Sequence, residues 1–187
     1  MIQLWSNLTS CIKEILEPNL EIKQAIKSWV GPEQDKQDFL LDNFILEIKS
    51  HRTSKSPTAN ISSAGQLYSE KEPIYLISYA LTTNASNGPT VMDLVSEIEA
   101  LISKDEENSE LIEYFNIQLD NYGYNPEFSN EKPALQFLID SVTCYTVNDD
   151  FPKLTEVPVE INHLQYGIDL TRCRDFIVNI DDVFNGG

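Results

Sequence analysis

A chain of 187 residues, 41% of them hydrophobic, is long enough to bury a core of its own. Thirty acidic against thirteen basic side chains leave a net charge of −17, which repels nucleic acid at long range, so phosphate contact needs a local cation cluster, a metal ion or a partner. No apolar run approaches the ~18 residues of a membrane span, and "MIQLWSNLTSCIKEIL" lacks the basic leader and cleavage site of a secretory signal. Cys11, Cys144 and Cys173 are odd in number and far apart, and with His51 and His163 they assemble no zinc-ligand spacing. One cytoplasmic domain over residues 1–187, with its thiols buried and reduced, is the expectation.

In chain order, Leu8, Ile12, Ile15 and Leu16 recur at helical spacing until Pro18. A second helix, about 20–28, carries Leu20, Ala25 and Ile26 and is broken by "WVGP". The polar "PEQDKQ" then leads into "QDFLLDNFILEIKS", which reads as a hairpin turning at Asp42 and Asn43, residues that tolerate the positive φ of a two-residue turn. The hydroxyl-rich "SHRTSKSPTANISSAGQLYSEKE" is predicted to be a loop with a short helix over 64–69. "PIYLISYAL" has the length and β-branched or aromatic content of a buried central strand. "TVMDLVSEIEALI" begins a helix with Thr90 as N-cap and Asp93 three residues on; Val91, Leu94, Val95, Ile98, Leu101 and Ile102 form its core stripe. Another helix, about 109–121, presents Leu111, Ile112, Phe115 and Leu119. "ALQFLIDSVTCYTV" fits helix or strand, and "VPVEI", "LQYGIDL" and "DFIVNI" read as extended. The sum is an α/β domain around a mixed sheet.

With the turn at Asp42-Asn43, Leu41 faces Phe44, Leu40 faces Ile45, Phe39 faces Leu46 and Asp38 faces Glu47. Alternation puts Phe39, Leu41, Phe44, Leu46 and Ile48 on one apolar face. The other carries Leu40, Ile45, Asp38, Glu47 and Lys49. Opposed carboxylates repel unless something positive lies between them. Lys49 compensates in part, and a divalent cation with its preference for carboxylate oxygens would do so better. Two readings are open: an amphipathic hairpin with a charged outer face, or the wall of a cleft.

Asp38 followed by Glu47-Ile48-Lys49 on a hairpin resembles the PD-(D/E)XK nuclease superfamily. The segments "AIKSWVGPEQDKQDF", "FILEIKSHR", "ISSAGQLYS", "PIYLISYAL" and "TVMDLVSEIEALI" in order, with the later "FPKL" and "LQYGIDL", resemble the PD-(D/E)XK motif family encoded beside bacterial restriction and anti-phage genes. Members of that family carry a longer N-terminal region and a Gly-x-x-Gly-Glu-Leu-like helix, whose Glu completes the site. Here the corresponding stretch reads "LTSCIKEILEP", and neither Glu14 nor Glu17 sits in that motif, as expected of a shortened or diverged member.

The resemblance implies a restriction-endonuclease-like fold, a mixed central sheet flanked by helices, and Mg²⁺-dependent hydrolysis of DNA, with Mn²⁺ as a substitute. It implies a metal held by Asp38, Glu47 and the carbonyl of Ile48, with Lys49 acting on the attacking water or the transition state. Gln66 resembles the polar residue that follows the motif, though a helix-surface amide reads the same way. His51, Arg52 and Lys55 concentrate positive charge after the motif; they suit DNA phosphates, or they belong to a solvated loop. The partners implied are DNA and a methyltransferase and ATPase of a defence system, with no membrane and with a homodimer left open. The alternative is a catalytically inactive acidic interaction subunit that retains the fold. Trp29 fits a core position, and His163 has no catalytic partners in view.

Overall fold

The computed structural model describes residues 2–10, 12, 20–33, 37–70, 72–83, 87–104, 109–125 and 135–184. The hairpin forms as its sequence dictates. β1 (Phe39–Leu40) and β2 (Ile45–Arg52) are antiparallel, with Phe39 opposite Leu46 and Leu40 opposite Ile45. The Leu41 N–H donates to the Phe44 carbonyl at 2.9 Å, which closes the turn over Asp42 and Asn43. β4 (Ile74–Thr83) lies parallel to β2 and takes the central place, and β5 (Phe137–Thr146) and the short β7 (Ile177–Val178) follow antiparallel. The order β1-β2-β4-β5-β7 is the mixed sheet expected.

Strand alternation sends side chains to two separate cores. From β2 and β4, Leu46, Ile48, Ile77, Tyr79 and Leu81 meet the helices α1 (Ile2–Ser10), α2 (Ile22–Ser28), α3 (Val91–Ile102) and α4 (Ser109–Asn121). On the opposite face Ile45, Ile74 and Leu76 pack beneath a small second sheet of β3 (Thr58–Ile61) and β6 (Tyr166–Asp169). Each buried Leu or Ile contributes roughly 1.5–3 kcal/mol. Over Ile45–Lys49, β2 is covered on both faces and has no solvated side, so Glu47 and Lys49 are buried too.

α1 occupies the first residues of the chain, within the helical N-terminal region. Leu4, Trp5 and Leu8 are buried, and the Trp5 indole N–H donates to the Pro89 carbonyl at 2.9 Å. Ile15, Leu16, Pro18, Glu14, Glu17 and Cys11 lie outside the described residues. α3 begins with the expected capping box, and α4 keeps the predicted limits. Trp29, at the end of α2, is a core residue between Phe115 and Tyr122 of the α4 end. Gly88 lets the loop before α3 touch β5, because a Cβ there would stand 2.1 Å from the Phe137 carbonyl oxygen.

The segment after the hairpin departs from the predicted loop. β2 continues through His51 and Arg52, and Thr58–Ile61 is a strand whose Ala59 and Ile61 turn inward. Its partner lies far along the chain, so local polarity hid it. Residues 64–67 form a 3₁₀ turn instead of an α-helical one. "VPVEI" is not a strand, and its Val159 is 93% exposed. "DFIVNI" yields only Ile177–Val178 before α5 (Ile180–Phe184). Residues 137–146 are strand, and Cys144 and Cys173 are buried and outside any disulfide. No helix among the described residues is long and apolar enough to cross a membrane.

Candidate active site

The β1–β2 ladder stops at Phe39 and Leu46, and the reason lies in Asp38. Were the ladder to continue, Ile48 would exchange two backbone hydrogen bonds with residue 37. Instead the Ile48 N–H donates to Asp38 Oδ2 at 2.8 Å, and the Ile48 carbonyl accepts from Gln3 Nε2 at 2.6 Å. Gln37 leaves the strand and donates to the Gly65 carbonyl at 2.8 Å. The Asp38 carboxylate thus takes the place of a strand carbonyl. Its own carbonyl accepts from Val30 and Gly31, and a Cβ on Gly31 would stand 3.3 Å from Asp38 Oδ1.

α1 supplies the other support. Gln3 and Asn7, one turn apart, share a helix face. Asn7 Nδ2 donates to Asp38 Oδ1 at 2.8 Å, and Gln3 Nε2 also reaches Asn7 Oδ1 at 3.1 Å. On β2, Lys49 Nζ lies 2.5 Å from Glu47 Oε1, while Glu47 Oε2 has no hydrogen-bond partner among the described residues. Asp38, Glu47 and Lys49 are only 9%, 1% and 9% exposed. The charged face is therefore a buried wall, not a solvated one.

Burial raises the Asp38 carboxyl above its ordinary range, against the pull of Lys49 and its two N–H donors. Burial also lifts Glu47, and the Asp38 charge adds to it; Lys49 opposes both, and the carboxyl is pushed up to about 8. Burial, with Asp38 and Glu47 nearby, likewise raises the Tyr122 phenol, so it stays protonated as a donor. Asp38, Lys49 and Tyr122 open on a cleft of about 390 Å³ whose lining also includes Gln3, Gln37 and Gln66, with Glu47 buried behind it.

Two buried carboxylates and a backbone carbonyl, all hard oxygen donors, fit Mg²⁺, which binds through one or two carboxylates and keeps several waters. The unpartnered Glu47 Oε2 is the observation on this side. Among the described residues no three His, Cys, Asp or Glu side chains gather into a cluster.

Against known proteins, the family model described as "Putative PD-(D/E)XK family member, (DUF4420)" matches residues 4–171. The chain belongs to this family. Its mixed sheet flanked by helices is the restriction-endonuclease-like α/β fold. No curated protein and no solved structure matches the chain.

Within this family member, the structure gathers Asp38, Glu47, Lys49 and the Ile48 backbone, and it puts Gln66 on the cleft wall. Gln66 belongs to the 3₁₀ turn, and its Oε1 accepts from the Ser62 N–H at 2.9 Å. His51, Arg52 and Lys55 do not line the cleft. His51 Nδ1 is 3.3 Å from Ser78 Oγ, and burial lowers its pKa; Arg52 and Lys55 are exposed beyond it. His163 is exposed. Sequence reading missed Gln3, Asn7, Gln37 and Tyr122. Only the four-residue spacing of Gln3 and Asn7 was visible in advance, and nothing local says that their helix packs against β2.

Proposed function

We propose that the protein is a metal-dependent phosphodiesterase that cleaves DNA, a nuclease subunit of a bacterial restriction or anti-phage defence system. The observation that carries this reading is the burial of Asp38, Glu47 and Lys49 together at the open end of the β1–β2 hairpin, with Asp38 and Lys49 on the wall of a cleft. Keeping two carboxylates away from water is costly, and a cation-binding role accounts for them. Asp38, Glu47 and the Ile48 carbonyl would hold Mg²⁺ or Mn²⁺. When bound, such a cation lowers the pKa of a water and offsets charge developing on the scissile phosphate.

The chain's own groups have separable tasks. Asn7 and the Ile48 N–H fix both oxygens of Asp38, so its carboxylate is oriented before substrate arrives. Lys49 carries three donors at the cleft wall and can hold a phosphate oxygen or the attacking water. The Gln66 amide, anchored through Oε1, presents its Nε2 to the same cleft. The link to a methyltransferase and an ATPase comes from the sequence resemblance.

A second reading, an inactive acidic interaction subunit, is favoured by one fact. Every candidate ligand oxygen except Glu47 Oε2 already has a protein donor. Thermal unfolding with and without millimolar Mn²⁺ or Mg²⁺ separates the two. Ligand at 100 times its Kd stabilises by roughly 2.7 kcal/mol. The midpoint is expected to rise in the wild type and to stay put in Asp38→Ala and Glu47→Ala. A wild type indifferent to both cations gives the lead to the second reading.

A further inference from the structure

The cleft over Asp38 and Lys49 is poor in charge and rich in amides. Among its described lining residues Lys49 is the one cation, and its ammonium already lies against Glu47 Oε1. Gln3, Gln37, Asn60 and Gln66 contribute carboxamides, and Tyr122 contributes a phenol. A groove that tracks a row of phosphates would need several cations. Carboxamides, with one donor end and one acceptor end, match the edge of a nucleobase.

Gln3 is held by Ile48 and Asn7, and two more of these amides are anchored on the far wall. Gln37 uses Nε2 on the carbonyls of Gly65, at 2.8 Å, and Tyr68, at 3.2 Å, so Oε1 remains as its open acceptor among the described residues. Gln66 uses Oε1 on the Ser62 N–H, at 2.9 Å, so Nε2 remains as its open donor among the described residues. Both are anchored on the one segment 62–68, which sets an acceptor and a donor on the same cleft. Tyr122 is held by its stack on Trp29, with ring centroids 5.8 Å apart and planes 29° apart. The volume of about 390 Å³ suits a small ligand and not a length of duplex.

We propose that this cleft receives one unpaired DNA nucleobase, read at its edge by Gln37 and Gln66 and flanked by Tyr122, so that the adjoining phosphate lies over Asp38 and Lys49. The preferred substrate is then DNA with an unpaired or extruded nucleotide, since removing a paired base from its stack adds a cost that an unpaired one avoids. The proposal rests on the phosphodiesterase reading and names the substrate class of that site.

The test is fluorescence anisotropy of the full chain with Ca²⁺ in place of Mg²⁺, using three oligonucleotides: a perfect duplex, the same duplex with one extra central nucleotide, and the single strand. The bulged and single-stranded probes are expected to bind at least roughly tenfold more tightly than the duplex. Replacing the extra nucleotide by an abasic sugar should erase that preference, and this control uses wild-type protein only. Gln37→Leu and Gln66→Leu should erase it too. Equal binding of all three probes, a preference that survives the abasic substitution, or no binding at all overturns the proposal. Cleavage in Mg²⁺ is scored separately. Asp38-dependent cleavage without the preference defeats the base pocket and leaves the nuclease standing, while the preference without Asp38-dependent cleavage does the reverse.

Discussion

Two carboxyl groups buried beside one ammonium give the Asp38–Glu47–Lys49 cluster a pH response opposite to that of an ordinary surface acid. The unfolded chain releases the Glu47 proton near pH 4.5, whereas the folded chain keeps it until about 8. Across that window the native state binds the extra proton, so stability falls as pH rises, by at most about 1.4 kcal/mol per pH unit for one group. The loss is complete above the folded value and absent below the unfolded one. Denaturant unfolding without metal, followed across this range, should show the decline in the wild type and a flatter profile in Glu47→Gln. A Glu47→Gln profile as steep as the wild type would place the titration elsewhere. Asn7→Ala tests the support instead of the acid. It leaves Asp38 Oδ1 without its 2.8 Å donor, and losing a hydrogen bond to a buried charged group costs roughly 1.5–3 kcal/mol. Mn²⁺ titration of that variant by calorimetry should then give weaker binding than in the wild type.

The elements that carry the site are held by devices that can be tested one at a time. α3 starts with Thr90 Oγ1 accepting from the Asp93 N–H at 3.2 Å and Asp93 Oδ2 accepting from the Thr90 N–H at 2.8 Å. Thr90→Ala should cost about 1 kcal/mol at neutral pH. The Thr90 N–H, and then its hydroxyl, hold the Asp93 carboxyl below its ordinary 3.8, so this part of the stability is present above that value and lost as pH falls through the folded one. The gap between wild type and Thr90→Ala, measured by thermal unfolding, should therefore narrow in acid. Gly88→Ala acts on the join between this helix and β5. A Cβ 2.1 Å from the Phe137 carbonyl oxygen meets backbone, which cannot rotate away. The cost should reach or exceed the ~1–3 kcal/mol usual for overpacking, and a midpoint unchanged from the wild type would show that the loop shifts freely.

At the scale of the whole molecule the charge of −17 works against the compact state through self-repulsion. Raising ionic strength from about 0.01 M to about 0.15 M shortens the screening length from roughly 30 Å to roughly 8 Å. The thermal midpoint in NaCl should rise over that interval; a flat response would mean that the acidic groups are spread widely enough not to interact. Under the proposed function, the same charge bears on how DNA would be met. With Arg52 and Lys55 outside the cleft, long-range attraction would be weak, and recognition would fall to short-range contacts at the site or to a partner that brings the DNA.

The sequence by itself determined the hairpin, its register, the central strand and the two long helices. Each of these follows from periodicity and turn chemistry read within about fifteen residues: alternation from Phe39 to Ile48, the Asp42-Asn43 turn, the Thr90–Asp93 cap. It also placed Glu47 and Lys49 on one face, because the strand period fixes the side of every residue once the turn is known, and it put Asp38 beside them at the end of the ladder. Only the tertiary structure decided whether that face meets solvent. Thr58–Ile61 is a strand because it finds Tyr166–Asp169, and that pairing roofs Ile45 with a second core. Asn7 reaches Asp38 across 31 residues and Gln3 reaches Ile48 across 45. Contacts of that range are selected by packing of the whole chain, and a local pattern records which residues are buried without recording against what.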